Sequence, residues 1–502
     1  MRGSNTQIAK LRREIFKEVV RIAYESDDTT MRRDLEEIPY KLSPDDKPRY
    51  RESIYRERAV ASERVRLAMG MCLRPNDQPV YATSGLSKSN ISDKYYEPPL
   101  MQVIPSACEE CKENAYVVSD QCRGCIASPC VSVCPVGAVS KVGGKSVIDE
   151  SKCIKCGKCK KECPYDAIVH KERPCAKVCG VKAIKSDKLG RAKIDNDKCV
   201  ACGQCMVACP FGAIADKSQI FQLVRAIRAG DKIIAAVAPA IVGQFGADIG
   251  LSQIRAGLIA LGFEDMHEVA MGADVGAAIE ARHYAKEVAT GNLPFMLTSC
   301  CPSWAMLAKK QFPDIIDKVS NTLTPMVTTA RSIKQKHPDA RVVFIGPCAS
   351  KKLEAGRASV RSDVDFVITF EELAAMFDAR GVDLSTFECE DFEAEATAAG
   401  RGFACAGGVA EAVKKCVEEY YPDVELKIEH ADGLDECRKM LLLAKAGKKN
   451  GCLIEGMGCP GGCVAGAGTC LPVEKANIQV QRIVEATENK IPAKELSKIQ
   501  LP

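Results

Sequence analysis

Apolar residues at Ile8, Leu11, Ile15, Val19 and Ile22 recur at steps of three and four, which predicts a helix over about 6–24 burying one stripe. A turn, Ser43-Pro44-Asp45-Asp46-Lys47-Pro48, leads into 50–71, again helical in texture, with Arg and Glu interleaved as on a solvated face. From 74 to 105 the periodicity fades into chain rich in Pro, Ser and Asn, which reads as a linker or a strap across a neighbour. Beyond Ile220 short apolar runs alternate with longer helical patterns. Strands are expected at 232–238, 294–298, 341–345, 364–369 and 452–455, and helices at 251–261, 272–289 and 371–379. This alternation predicts an α/β domain with a largely parallel sheet.

Length implies two or three domains, since 502 residues exceed what one hydrophobic core organises. Lys and Arg total 70 against 66 Asp and Glu, and the net charge of +4 with only 5% aromatic residues argues against a nucleic-acid partner. The longest apolar run, 233–242, is too short to span a bilayer, and the first residues lead into a charged amphipathic stretch and not an apolar signal core. Cytoplasmic residence with reduced thiols is the expectation. The 28 Cys then point to metal clusters over a disulfide framework, because tight C-x-x-C-x-x-C spacing suits a cluster better than a set of bridges.

Cys122-x2-Cys125-x4-Cys130-x3-Cys134-Pro135 is followed by Cys153-x2-Cys156-x2-Cys159-x3-Cys163-Pro164, a spacing similar to that of bacterial two-cluster ferredoxins. In such pairs the fourth cysteine of each motif serves the other cluster. The expected sets are Cys122, Cys125, Cys130 with Cys163, and Cys153, Cys156, Cys159 with Cys134. A structural zinc site is the bland alternative. A further unit, Cys199-x2-Cys202-x2-Cys205-x3-Cys209-Pro210, needs a partner, and Cys175-x3-Cys179 supplies its latter half. Cys108-x2-Cys111 would complete it, giving Cys108, Cys111, Cys175, Cys209 and Cys199, Cys202, Cys205, Cys179; the alternative leaves Cys108 and Cys111 as unligated thiols. The total is three to four 4Fe–4S clusters. Lys155, Lys158, Lys160 and Lys161 crowd the second motif and suit an acidic carrier protein, or are ordinary solvated residues.

Three separated segments of the second half carry further cysteines: Thr298-Ser299-Cys300-Cys301-Pro302-Ser303-Trp304, Gly346-Pro347-Cys348-Ala349-Ser350-Lys351-Lys352-Leu353-Glu354, and Glu455-Gly456-Met457-Gly458-Cys459-Pro460-Gly461-Gly462-Cys463. Each sits just after an expected strand. Together they resemble the three active-site signatures of the iron-only (FeFe) hydrogenases, in a divergent branch.

The resemblance covers about 106–475 and implies an H-cluster: a cubane joined through one thiolate to a two-iron unit with carbon monoxide, cyanide and a bridging azadithiolate. It implies that Cys301, Cys348, Cys459 and Cys463 ligate the cubane, with Cys463 making the bridge, and that Cys300 carries protons to the bridging amine. Lys351 matches the lysine that binds a cyanide, Met457 a methionine packed on the two-iron unit, and Ala238-Pro239-Ala240 a segment lining the pocket. Glu280, Ser320 and, nearer the surface, Glu354 fall at relay positions. The chain departs from the family at His283, where a carboxylate is usual, and in lacking the arginine that follows. Ser303 stands for a glycine, Gly346 for a methionine, and Ala467 interrupts a glycine run. Glycines 461 and 462 are expected to let backbone approach the cofactor.

The implied fold is α+β and α/β multidomain, with ferredoxin-like 4Fe–4S modules followed by a two-lobed α/β catalytic domain. The layout is 1–105, helical with a linker and of unknown role; 106–217, iron–sulfur; 218–485, catalytic; and 486–502, a tail. The implied activity is reversible reduction of protons to dihydrogen, with a ferredoxin-type carrier and H-cluster maturation proteins as partners. A low-turnover hydrogen or redox sensor and a non-catalytic iron–sulfur carrier are the alternatives. Retained Cys300 and Lys351 speak against the carrier. Cys72, Cys389, Cys405, Cys416, Cys437, Cys452 and Cys470 receive no role.

Overall fold

A computed structural model describes residues 6–75, 77–388 and 396–499; Cys389 lies outside them. Two parallel sheets organise the second half. The larger runs in the order Asp265–Glu268, Ile233–Val237, Arg341–Gly346, Phe366–Thr369, and the smaller in the order Met296–Leu297, Cys452–Met457, Lys427–Asp432. Every pairing within them is parallel, and the Ile233–Val237 and Cys452–Met457 strands are buried along their whole length. Such strands are covered on both faces and therefore show as unbroken apolar runs in the sequence. The expected strands are all present within a few residues, joined by two that the periodicity missed, Asp265–Glu268 and Lys427–Asp432. Both are short on apolar side chains.

The first hundred residues do not stand apart. Helix Gln7–Glu25 begins where the Thr6 hydroxyl accepts the Ala9 N–H at 3.2 Å, and it buries Ile15, Val19 and Ile22 against helices Ile220–Arg228 and Phe370–Arg380. Its core is continuous with that of the larger sheet. Helix Met31–Leu42 was not expected, although Met31, Leu35 and Ile38 form its buried stripe; Pro39 in the last turn disguises it.

Helix Ile54–Ala68 is shorter than its charged pattern suggested, and the face is not solvated. Glu57 is fully buried and accepts the N–H groups of Arg49 and Tyr50 at 2.7 Å and of Arg51 at 2.9 Å. Arg66 donates to the carbonyls of Ala82 and Ser84 at 2.8 Å, and Glu63 pairs with Arg74 at 2.6 Å. These side chains stand in for water around irregular backbone, which sequence periodicity does not encode. The stretch expected as a strap ends in a strand, Met101–Val103, that pairs antiparallel with Ile214–Asp216.

That pairing nests one cluster unit inside another. Strands Asn114–Val118 and Ile168–Glu172 frame a hairpin, Val139–Val142 with Lys145–Ile148. Outside them, Met101–Val103 and Ile214–Asp216 frame a second hairpin, Ile184–Ser186 with Ala192–Ile194. The inner unit is thus inserted between Cys111 and Cys175 of the outer one, which explains why Cys108-x2-Cys111 lies upstream of the array.

Candidate active site

The first C-x-x-C turn of each of the four cysteine sets has the same backbone. The residue before the second cysteine is left-handed in each: Glu110 (φ 49°), Gly124 (63°), Lys155 (59°) and Ala201 (54°). Three of these are not glycine, so the conformation stores strain that the surroundings must hold. Each C-P or C-G turn also ends left-handed, at Gly137, Asp166, Lys182 and Gly212, and the next N–H donates to the cysteine sulfur. These are Ala138 to Cys134 and Ala183 to Cys179 at 3.2 Å, Ala167 to Cys163 at 3.4 Å, and Ala213 to Cys209 at 3.3 Å. Amide donors aimed at sulfur favour its anionic, ligating form. Cys108 has its own donor, Ala192 N–H at 3.4 Å, as Cys122 has Ser146 N–H at 3.5 Å.

Charge proximity links several thiols within the expected sets, and also Cys175 to Cys205 and Cys348 to Cys202 across them. Burial, then Cys209, Cys108 and Cys111, raises Cys175 to about 12; Cys202 is raised by burial, Cys199 and Cys179; and Cys159 by burial, Cys153, Cys156 and Cys134. Cys130, Cys134, Cys159 and Cys163 pack in one apolar cluster at the centre of the inner unit. Among the described residues no three His, Cys, Asp or Glu side chains converge as on a single ion. A cubane instead spreads its thiolates over four irons.

The Cys199 set abuts the second cysteine group. Gln204 Nε2 donates to Cys459 Sγ at 3.1 Å, the Ser350 hydroxyl donates to Val200 O at 3.0 Å, and Lys310 to Cys199 O at 2.7 Å. Ser303 reaches the same Val200 O at 3.4 Å, so this departure from the family faces the iron–sulfur unit as well as the pocket. Ala467 likewise packs on Gly203, where an added Cβ would lie 2.5 Å from its methyl.

Cys301 follows the Met296–Leu297 strand, Cys348 the Arg341–Gly346 strand, and Cys459 the Cys452–Met457 strand. The group therefore lies at the C-terminal ends of both parallel sheets, where such folds leave a crevice. Trp304 locks two of these loops together: its Nε1–H donates to Thr298 O at 3.1 Å and its ring covers Gly456, where a Cβ would not fit. The cavity holds about 810 Å³ of atom-free space, mouth included. Cys300, Cys301, Cys348, Cys459, Cys463, Ala238, Pro239, Lys351 and Met457 all line it.

Burial and one another's charge push up the thiols of Cys348, to about 12, and of Cys463. Four half-buried thiols converging on one cavity, with Gly458 N–H on Cys301 Sγ at 3.3 Å, are a donor set that cationic iron would complete. The residues fit a cubane with room beside it. Gly461 and Gly462 are left-handed (φ 95° and 88°), yet a Cβ on Gly462 would meet the backbone of residues 404–406 and not the pocket. Close approach is required there by the chain itself. Gly346, the methionine position of the family, leaves space that the Phe344 ring takes: an added Cβ would lie 2.5 Å from it.

Glu280 is buried on helix Val269–His283 and pushed up to about 7 by burial, against the pull of hydrogen bonds from Ser320 and Ser299. Cys300 is half-buried beside it and held well above the ordinary thiol value by desolvation and the Glu280 charge. Glu354 is not near the surface as expected. It is 2% exposed, pairs with Lys351 at 2.7 Å and accepts the Thr324 hydroxyl at 2.9 Å, because the i, i+3 spacing on helix Ala349–Ala355 stacks it beside Lys351 over the pocket. Glu455, which sequence reasoning missed, is buried below the site and caps helix Gly408–Tyr420 through Gly407 and Ala410 N–H at 2.9 and 2.8 Å. A carboxylate inside an apolar strand was the available signal.

Residues 231–467 match the C-terminal domain of the iron only hydrogenase large subunit, and residues 113–173 and 152–213 each match a 4Fe-4S dicluster domain. The chain is 30% identical over 305 residues to the NADP-reducing hydrogenase subunit HndD of Solidesulfovibrio fructosivorans, covering 50% of this chain and 52% of that one. It is 29% identical over 305 residues to iron hydrogenase 1 of Clostridium pasteurianum, with the same coverage of 50% and 52%. It thus spans about half the length of both. Over 95 residues it is 34% identical to the cytosolic Fe-S cluster assembly factor NAR1 of Kluyveromyces lactis, covering 19% of this chain and 20% of that protein.

Proposed function

We propose that this chain, a divergent FeFe hydrogenase-like protein with 4Fe–4S ferredoxin domains, interconverts protons and electrons with dihydrogen. The observation that carries the reading is Cys300. A cubane uses four thiolates, and Cys301, Cys348, Cys459 and Cys463 supply them; a fifth thiol, half-buried against that set and facing Glu280, has work only where protons move. In this reading Cys463 and Lys351 would help to hold a two-iron unit at the pocket wall. The H-cluster, when bound, supplies the iron and electrons at which protons are reduced.

The chain's own residues do the rest. Cys300 Sγ holds a proton at the pocket wall, the Glu280 carboxyl exchanges it, and the Ser320 hydroxyl moves it outward. Ala238, Pro239 and Met457 give the cavity an apolar lining that keeps bulk water out, and Glu354 fixes the Lys351 ammonium. Electrons enter at the inner unit, where Cys156 is exposed among Lys155, Lys158, Lys160 and Lys161, a surface suited to an acidic ferredoxin-type carrier. Gln204 ties the Cys199 set to Cys459, and clusters held by these residues would pass electrons on to the pocket. Sixteen cysteines in four repeats support four accessory cubanes, arranged in the nested units of 101–216. Maturation proteins would insert the two-iron unit, and reduced thiols fit the cytoplasm; among the described residues no helix is long and apolar enough to cross a membrane.

A second reading, an iron–sulfur carrier without the two-iron unit, is favoured by the likeness to the assembly factor. The deciding experiment is hydrogen evolution from a reduced low-potential dye, made anaerobically on protein matured with the azadithiolate-bridged two-iron cofactor, beside Cys300→Ala. Activity lost in the variant with carbonyl and cyanide infrared bands retained supports a hydrogenase. Bands with negligible turnover would point to a sensor, and bands that never form to the carrier.

A further inference from the structure

Ser320 ends a short excursion of chain that is tied to the Met296–Leu297 strand: Val319 bridges Leu297, and the Ser320 N–H donates to Leu297 O at 2.8 Å. This tie brings Ser320 beside Ser299 and within bonding reach of the Glu280 carboxyl. A hydroxyl has one proton to give, and Ser320 can turn it to the Glu280 carboxylate or to Thr322 Oγ1, which lies 2.8 Å away. Thr322 is clamped in place. Its N–H donates to Ser320 Oγ at 3.2 Å, and its carbonyl accepts the Ser299 hydroxyl at 2.7 Å. Ser320 is buried, whereas Thr322 is half-buried and lines an open cavity of about 1570 Å³ of atom-free space, mouth included. The charged and titratable groups facing that cavity are Arg282, His283, Lys286 and Glu287, all from one helical run; the opposite wall is Asn321, Leu323 and Thr328, with Ile499.

We propose that Thr322 is the outlet of the proton path in this chain, its hydroxyl joining Ser320 to the water of that cavity. The inference rests on the hydrogenase reading and adds a residue to it. A proton passes from the Glu280 carboxyl to Ser320 Oγ as the Ser320 proton passes to Thr322 Oγ1 and the Thr322 proton to cavity water. No electrons move, and each hydroxyl ends neutral. The carboxylate and arginine that the family carries on the helix become dispensable, because the exit lies across the cavity from His283, on the loop after Ser320.

The test uses Thr322→Val, which keeps the shape and removes the hydroxyl, and Thr322→Ser, which restores it. The Thr322 methyl carbon packs 3.9 Å from where a Gly276 Cβ would sit, a contact Val preserves. Two readouts are taken on the full chain with its cubanes. The first is the rate at which the Cys300 S–H infrared band, assigned by its loss in Cys300→Ala, shifts to S–D after dilution into D2O; it needs no two-iron unit and no turnover. The second is dye-linked hydrogen evolution by matured protein. Thr322→Val is expected to slow both about tenfold or more, and Thr322→Ser to stay within about twofold of the parent. Exchange unchanged in Thr322→Val would overturn the proposal, as would equal losses in both variants or a slowing found only in His283→Ala. If the parent makes no hydrogen yet its S–H exchange still depends on Thr322, the activity fails and the path stands.

Discussion

The iron–sulfur region and the cysteine-lined pocket of the second half position the same kind of side chain by opposite means. In 101–216 each cysteine set is shaped locally: a left-handed residue inside every C-x-x-C and an amide on every fourth sulfur, repeated four times. In the pocket no turn is repeated, and four cysteines arrive from three strand ends in two sheets. Local cradles tolerate insertion, as the nesting demonstrates, whereas a cradle assembled from distant strands depends on the whole core behind it. The difference also separates their chemistry. Only the second arrangement leaves a cavity beside the ligands and a buried carboxyl within reach.

Glu280→Gln is the sharpest probe of that separation. Dye-linked hydrogen evolution is expected to fall about a hundredfold or more while iron content is unchanged; parallel loss of iron would mean that the carboxyl belongs to the scaffold. The converse probe is Cys108→Ser with Cys111→Ser, expected to remove about four irons per chain by colorimetric assay and to leave the pocket cubane in place. An unchanged count would return these cysteines to ordinary thiols.

Glycine substitutions should differ in the same sense. Gly462→Ala combines a left-handed φ of 88° with a Cβ aimed at the 404–406 backbone, and a cost of about 3 kcal/mol or more in denaturant melts is expected. Gly137→Ala, at φ 61° with nothing within 4 Å of the added Cβ, should cost about 1 kcal/mol. The smallest effect concerns Asp274, which caps Thr397 at 2.7 Å and is raised by burial to about 6. The native state holds that proton more tightly than the unfolded chain, so stability should decline as pH rises from about 4 to 6. Asp274→Asn should flatten that window in urea melts taken at successive pH values.

The sequence spoke most clearly where chemistry is local. Cysteine spacing offered Cys108 and Cys111 as partners for Cys175 and Cys209, with unligated thiols as the alternative, and the strand pairing of 101–103 with 214–216 brings the two ends of that unit together. Buried strands such as Ile233–Val237 showed as continuous apolar runs. It was silent where a side chain serves distant backbone. Glu57 and Arg66 looked solvated because periodicity records polarity and not the loop carbonyls and amides they would meet. Glu354 was placed too far out for the same reason, since only the folded helix stacks it beside Lys351. Phe344 filling the space above Gly346 pairs residues on one strand, a compensation visible only once both ring and backbone are in place.

The nesting of the two cluster units also sets a timetable. During synthesis Cys108 and Cys111 emerge before the whole inner unit, and on the proposed ligand sets their cluster could not close until Cys209 had followed. The outer unit, which touches the pocket, is therefore begun first and finished last. A ribosome that stalls between Cys163 and Cys175 would release a chain whose inner cubanes can already take up electrons and have nowhere to send them.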